Sequence, residues 1–224
     1  MGIYRFAGKR KGGIAVLDQS VPYKNIIMYA QKDQFLNREQ PALSKPFCFR
    51  LFRPGDEEQW ARLEWSVGEF PSQKEALDYF CGQYLPKSSL LAQRCWFIWD
   101  EQKNQAAATA TAWFDKMGEE ERIASLHWVS ADPSYQGKGL GKAITVRALQ
   151  TLAEKEQGKY IYLHTQTWSH KAVALYLSLG FRLVRVGGFA QYANDYPAYL
   201  PILKEKMRPA DWENLTRSLP QEDL

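Results

Sequence analysis

The chain has 224 residues, of which 45% are hydrophobic and 24% charged, enough apolar material for one substantial core and no run near the ~18 apolar residues of a membrane span. A net charge of +4 is too mild to argue for nucleic acid, and it suits a protein that holds a polyanionic small molecule. The start, Met1 to Phe6, leads into Lys9-Arg10-Lys11 with no apolar signal core, and the three spaced cysteines, Cys48, Cys81 and Cys95, fit a reducing, cytoplasmic setting.

In chain order, residues 1–45 stand apart as an N-terminal extension. Gly13 to Leu17 and Asn25 to Ala30 have the pattern of two short strands of a hairpin, and Gln31 to Lys45 reads as a linker. Phe47 to Phe52 opens the main domain as a strand. Glu57 to Val67 follows as a helix with Trp60, Leu63 and Val67 on one face. Ser72, with Glu75 three residues on, caps a second helix whose stripe is Leu77, Phe80, Cys81 and Tyr84. Arg94 to Asp100 and Gln105 to Phe114 are strands around a hairpin turn. Asp115 to Glu121 reads as an acidic, solvated turn.

Ile123 to Ala131 is a buried strand, ended by Asp132-Pro133-Ser134. Strand alternation puts Ser125, His127 and Val129 on one face. From Lys138 a helix begins, with Leu140, Ile144, Ala148 and Leu152 as its stripe and Gly158 as its C-terminal cap. Gly137, Gly139 and Gly141 crowd into its start. Glycine inside a helix costs roughly 1 kcal/mol against alanine, so a use must offset it. Bare backbone N–H groups at the positive end of a helix dipole favour phosphate. A G-x-x-x-x-G-K-[ST] loop fails here, because Gln136 and Ala143 occupy two of its fixed positions. A G-x-G-x-x-G fingerprint fails too, at Lys142 or Ile144.

Tyr160 to Gln166 reads as a strand buried on both faces. Ser169 caps the next helix, His170 faces solvent, and Gly180 ends the helix. Phe181 to Val186 and Tyr199 to Lys206 read as the last two strands, and Pro209 to Ser218 as a terminal helix before a polar end at Gln221 to Leu224.

The run Gln136-Gly137-Lys138-Gly139-Leu140-Gly141 after a Pro-terminated strand resembles the acetyl-CoA pyrophosphate loop of the GNAT superfamily of N-acetyltransferases. Ser169-His170-Lys171-Ala172-Val173-Ala174-Leu175-Tyr176-Leu177-Ser178-Leu179-Gly180-Phe181 is similar to the family's N-x-x-A-x-x-L-Y-x-x-x-G-F helix, with Ser169 in place of the commoner Asn. The resemblance runs from Phe47 to Met207. It implies an α+β (mixed α/β) fold: a central, mostly antiparallel mixed sheet of six to seven strands, about four flanking helices, and two central parallel strands splayed apart. The domain would span residues 46–207, followed by a helix and tail over 208–224.

The resemblance also implies acetyl-CoA as co-substrate and a primary amine of a small molecule or protein as acceptor, attacked directly in a ternary complex. Gln136, Gly137, Lys138, Gly139, Leu140, Gly141 and Lys142 would hold the pyrophosphate. The backbone of Val129, Ser130 and Ala131 would bond the pantetheine arm, with Val129 N–H facing the oxyanion, and Ser169 would contribute its side chain. Tyr176 would protonate the leaving thiolate, the competing reading being a core tyrosine. His127 is the candidate base, since imidazole titrates near neutrality. A packed histidine or a water relay are the alternatives, and His164 reads as structural. No metal pattern is present, and neither nucleic acid nor membrane is expected. The rival from another class is a non-catalytic acyl-CoA-binding module, which would need only the loop backbone. Residues 1–45 would serve as a lid over the acceptor or as a homodimer contact.

Overall fold

The computed structural model describes residues 17–217 and Leu219. In chain order the elements are β1 (Asn25–Gln31), β2 (Phe47–Leu51), α1 (Glu57–Val67), α2 (Gln73–Gln83), α3 (Ser88–Arg94), β3 (Cys95–Asp100), β4 (Gln105–Met117), β5 (Glu120–Ala131), α4 (Leu140–Lys155), β6 (Tyr160–Gln166), α5 (His170–Ser178), β7 (Arg182–Leu183), α6 (Tyr196–Lys206) and α7 (Pro209–Thr216). The strands form one seven-stranded open sheet in the order β2-β3-β4-β5-β6-β1-β7. β2/β3, β3/β4, β1/β6 and β1/β7 pair antiparallel. β5 and β6 are the parallel pair, with Ser125 opposite Tyr162. This is the mixed sheet expected, at its upper count of seven strands.

Among the described residues, the first compact unit holds Leu17, Glu39–Thr111 and Trp128–Ala148, and the second holds Asp18–Arg38, Ala112–His127 and the chain from Leu149 to Arg217 with Leu219. In the first, α1 forms where expected and buries Trp60, Leu63 and Val67. Ser72 caps α2, its hydroxyl accepting the Glu75 N–H at 3.1 Å. α2 buries Ala76 and Phe80, whereas Cys81, placed on the stripe by its spacing, is exposed. Trp60 lies at 4.8 Å from Phe80 and 6.0 Å from Phe70, centroid to centroid, at the heart of this core.

In the second unit, Ile26, Ile27 and Met28 of β1 are fully buried. β1 is an inner strand, paired with β6 over its whole length and with β7 on its other edge. The separation of residues 1–45 as an extension therefore does not match the sheet. Backbone hydrogen bonding on both edges, together with apolar faces above and below, draws Asn25–Gln31 inside. The hairpin partner at Gly13 to Val16 lies outside the described residues, as does the polar end at Gln221 to Leu224. The expected linker carries a 3₁₀ turn, Lys32–Phe35, whose Phe35 is buried 6.1 Å from Phe181.

Four other expectations are corrected. Tyr199 to Lys206 is not a strand: Tyr196, Tyr199, Leu200 and Leu203 recur at helical spacing and are buried on α6. Pro197 sits in its first turn, where no N–H is needed. The strand after Gly180 shrinks to Arg182–Leu183. β6 alternates, burying Ile161, Leu163 and Thr165 while Tyr160, Tyr162 and His164 on the opposite face are half-buried, so it is not covered equally on both sides. α4 ends at Lys155, and Gly158 does not take a left-handed φ. α3 and α6 add to the four flanking helices and the terminal helix read from the sequence, making seven among the described residues.

Candidate active site

β5 leaves the sheet at Ala131, and Asp132 pins the turn that follows. Its carboxylate accepts the Ser134 N–H at 2.9 Å, the Ser134 hydroxyl at 2.7 Å and the Arg62 guanidinium at 2.5 Å. Burial would raise the Asp132 pKa, but these donors outweigh it and hold the group below its ordinary value. Tyr135 is buried, its hydroxyl donating to Asp100 Oδ2 at 2.7 Å. The glycine loop thus springs from a rigid footing.

In the loop, Gly137 and Gly139 take left-handed φ values of 79° and 73°. Side chains rarely tolerate this backbone, which explains glycine at these two positions. A Cβ added at Gly137, Gly139 or Gly141 would meet nothing within 4 Å, so the space over the loop is open. α4 starts at Leu140, and Gly139 C=O accepts the Ala143 N–H at 3.0 Å. The N–H groups of this first turn have no intrahelical acceptors, and the helix dipole makes them a site for an anion. Gln136, Lys138 and Lys142 are exposed and Leu140 is buried in α4's stripe. The cradle, bare and positive, fits a pyrophosphate.

Just upstream, Trp128 holds φ 50°, a left-handed conformation uncommon for a bulky residue. Its ring is locked among Trp60, Phe70 and Tyr79 at centroid distances of 5.2–5.4 Å. This packing over-determines the strained backbone. The twist at Trp128 interrupts the period-two alternation assumed for Ser125, His127 and Val129. Val129 and Ala131 are half-buried, while the buried Ser130 hydroxyl donates to Glu64 Oε1 at 2.8 Å. Burial, reinforced by Glu69, drives the Glu64 pKa well above the ordinary carboxylate value despite that bond. Glu64, one turn beyond Trp60, was not singled out from the sequence. A charged residue in the middle of α1's apolar face was its signal.

In the second unit, His127 Nε2 lies 2.8 Å from Asp115 Oδ2, both side chains about four-fifths covered. Asp115 was expected in a solvated turn, but β4 continues to Met117 and carries it inward. Burial would raise its pKa. Hydrogen bonds from His127 and Ser125 and the nearby His127 and His164 rings outweigh that and lower it. An ionised carboxylate can only accept, so Nε2 carries the proton and Nδ1 is the basic nitrogen of His127. The alternation Trp113, Asp115, Met117 was the signal that could have found this partner.

His164 stacks on Tyr192 at 3.5 Å and 6°, with Nε2 2.9 Å from Asn25 Oδ1. Burial foremost, with His127 adding and Asp115 opposing, pushes its pKa down to about 4, so it is neutral at physiological pH. Tyr176 is buried on α5, its ring 5.9 Å from Phe181. Ser169 stands at the N-cap of α5 but makes no side-chain capping bond. His170, expected in solvent, is buried, and its Nδ1 has no partner among the described residues. Of the sequence-derived residues, Val129 to Lys142 belong to the first unit and His127, Ser169 and Tyr176 to the second.

Residues 57–181 match the model of the acetyltransferase (GNAT) family, more than half of the chain. Among curated relatives, a mycothiol acetyltransferase of Rothia mucilaginosa is 29% identical over 192 residues, covering 80% of this chain and 54% of its own. The N-alpha-acetyltransferase RimI of Mycobacterium tuberculosis is 39% identical over 59 residues, 26% of this chain and 35% of its own. The chain thus spans about half or less of the length of the relatives it matches. Among solved structures, a GCN5-related N-acetyltransferase from Sphaerobacter thermophilus superimposes with a TM-score of 0.54 at 16% identity, over 73% of this chain and 50% of that one, which shows the fold. With the glycine loop, the parallel strand pair and a family match across both, this chain belongs to the GNAT acetyltransferase family.

Proposed function

We propose that the protein transfers the acetyl group of acetyl-CoA to a primary amine by direct attack in a ternary complex. The observation that carries this reading is the loop from Gln136 to Lys142: two left-handed glycines, open space above them, and the first turn of α4 behind. Its N–H groups would bond the pyrophosphate, the Val129–Ala131 backbone would bond the pantetheine amides with Val129 N–H at the oxyanion, and Ser169 would add a side-chain contact. In the reaction the amine nitrogen forms a bond to the thioester carbonyl carbon and the C–S bond breaks. Nδ1 of His127 takes the proton from the amine, and the Tyr176 hydroxyl gives one to the departing thiolate. Asp115 supports the first step by holding His127 in the required tautomer, the role an orienting carboxylate plays in other acid–base pairs. The presence of that pair, which a binding module has no need of, favours an enzyme over a non-catalytic acyl-CoA sensor.

Thiol release from acetyl-CoA, followed over a panel of amines alongside calorimetric titration of acetyl-CoA, tests the proposal. Amine-dependent release is the expected result. Binding without release for every amine would establish the sensor instead, and absence of binding would remove both readings.

A further inference from the structure

Trp60 and Glu64 stand four residues apart on α1, and Trp128 and Ser130 two apart on β5. The helix spacing, roughly 6 Å, and the strand spacing, roughly 7 Å, match closely enough for one helix face to grip both strand residues. The Trp60 and Trp128 rings meet at 5.4 Å and 76°, and the Ser130 hydroxyl donates to Glu64 Oε1 at 2.8 Å. All four residues belong to the first unit. The helix itself is bolted to the sheet. Gln59 Oε1 accepts the Ala106 N–H at 3.1 Å, and Arg62 donates to the Ala106 carbonyl and, at 2.5 Å, to Asp132 Oδ2.

Glu64 is 1% exposed, and nothing in the apolar period of α1 requires a carboxyl there. An apolar side chain would be less costly to bury, so the carboxyl needs a use. Burial, reinforced by Glu69, favours its neutral acid form and outweighs the Ser130 bond. A neutral acid still offers Ser130 a carbonyl oxygen as acceptor. The bond falls two residues past the left-handed Trp128, whose ring cluster holds the near side of the kink. The peptide joining Trp128 to Val129 carries the Val129 N–H, so its aim depends on how the chain is held on both sides. Farther on, Asp132 donates its N–H to the Ala107 carbonyl of β4 at 2.9 Å. Strand alternation then turns the N–H groups of Ala131 and Val129 to the opposite edge of β5.

We propose that Glu64 is a positioning residue for acetyl transfer: with Trp60 it clamps Trp128 and Ser130, and so holds the Val129 N–H aimed at the thioester carbonyl oxygen, where the oxyanion develops. The proposal rests on the acetyl-transfer reading for its reaction. In this role Glu64 touches neither substrate nor cofactor and moves no proton. It acts through its bond to Ser130.

The experiment compares the wild-type full chain with Ser130→Ala, Glu64→Leu, Glu64→Gln and the double variant of the first two. Glutamine presents the same carbonyl oxygen to Ser130, and leucine presents none. Amine-dependent thiol release gives kcat, and calorimetry gives the acetyl-CoA Kd. Infrared spectroscopy reads, without turnover, the thioester C=O stretch of bound acetyl-CoA, which a hydrogen bond lowers. Expected is a kcat about 10- to 100-fold lower in Ser130→Ala and in Glu64→Leu, with the acetyl-CoA Kd unchanged. The double variant should lose no more, because either change removes the same bond. Glu64→Gln should recover most of the kcat lost in Glu64→Leu. The C=O stretch should sit below its free value in wild type and Glu64→Gln, and return toward it in the other variants. That infrared pattern with no amine acetylated would leave the clamp standing and remove the transfer reading. An unchanged stretch and kcat in Ser130→Ala would overturn the clamp and leave transfer standing. Acetyl-CoA affinity lost in proportion to kcat, or equal losses in Glu64→Gln and Glu64→Leu, would make Glu64 a structural residue and overturn the proposal as well. Should Glu64→Leu fail to fold, Ser130→Ala decides by the same readings.

Discussion

His127 Nε2 and Asp115 Oδ2 stand 2.8 Å apart, a carboxylate below its ordinary pKa facing an imidazole across twelve residues of chain. The pair turns a strand histidine into an oriented one. Asp115→Asn keeps the shape but presents an amide that can donate to Nε2 and so permits the other tautomer. We expect kcat to fall about 10- to 100-fold with the acetyl-CoA KM unchanged, and His127→Ala to lower kcat at least as far. Full activity in both variants would make the pair a packing feature.

His164 predicts a pH dependence of stability. Its folded pKa of about 4 lies below the unfolded value near 6.5, so the unfolded chain binds the extra proton first. Stability from this group is complete above pH 6.5 and is lost as pH falls from there toward 4, at up to about 1.4 kcal/mol per pH unit. Asp115, with a lowered pKa, contributes stability that is lost only below the carboxylate range. Urea midpoints for wild type and His164→Gln, compared between pH 7 and pH 4.5, should converge as pH falls. Parallel pH curves would rule out titration of His164 as the cause.

Two glycines should respond in opposite ways. Gly139 holds φ 73°, and alanine there costs about 1–2 kcal/mol of stability, while Gly139→Asp adds a carboxylate where we propose the pyrophosphate binds. Gly141 lies in the first turn of α4 with open space around its Cα, so Gly141→Ala should stabilise the fold by about 0.5–1 kcal/mol yet weaken acetyl-CoA binding by crowding the free N–H groups. Thermal melts and calorimetry on the same samples check both. Unchanged acetyl-CoA affinity in Gly139→Asp would remove the loop from the site.

Tyr176 is buried, with its ring 5.9 Å from that of Phe181. If it protonates the leaving thiolate, Tyr176→Phe lowers kcat by roughly 10²–10⁴-fold with little change in acetyl-CoA KM. A drop in melting temperature with kcat intact would mark it as a core tyrosine.

Truncation should separate the start of the chain into two parts. Removing residues 1–16 leaves β1 in place, and a folded protein is expected. Removing residues 1–45 strips the strand that β6 and β7 both pair with, and circular dichroism should show loss of the cooperative melt. A stable, acetyl-CoA-binding 46–224 fragment would show that the sheet closes without β1.

What was legible in the sequence is local. The glycine spacing at Gly137 and Gly139 reports backbone that only glycine adopts readily, and the four-residue recurrence from Leu140 to Leu152 reports a helix with one buried face. α1, the Ser72 cap and the strand at Tyr160–Gln166 were readable for the same reason. α6 was legible in principle, since Tyr196, Tyr199, Leu200 and Leu203 carry a helical period, but a short apolar run there passed for a strand. The rest was decided by pairing between distant segments. Nothing local says that Asn25–Gln31 will lie between β6 and β7, and without that placement Tyr29 does not meet Tyr160 and Tyr162. Asp115 looked like a turn residue until β4 ran on past it to meet His127. Glycine conformation and helical period act within a few residues, whereas a sheet's neighbours, and the pKa values and clefts they create, depend on which strand edges find each other across the whole chain.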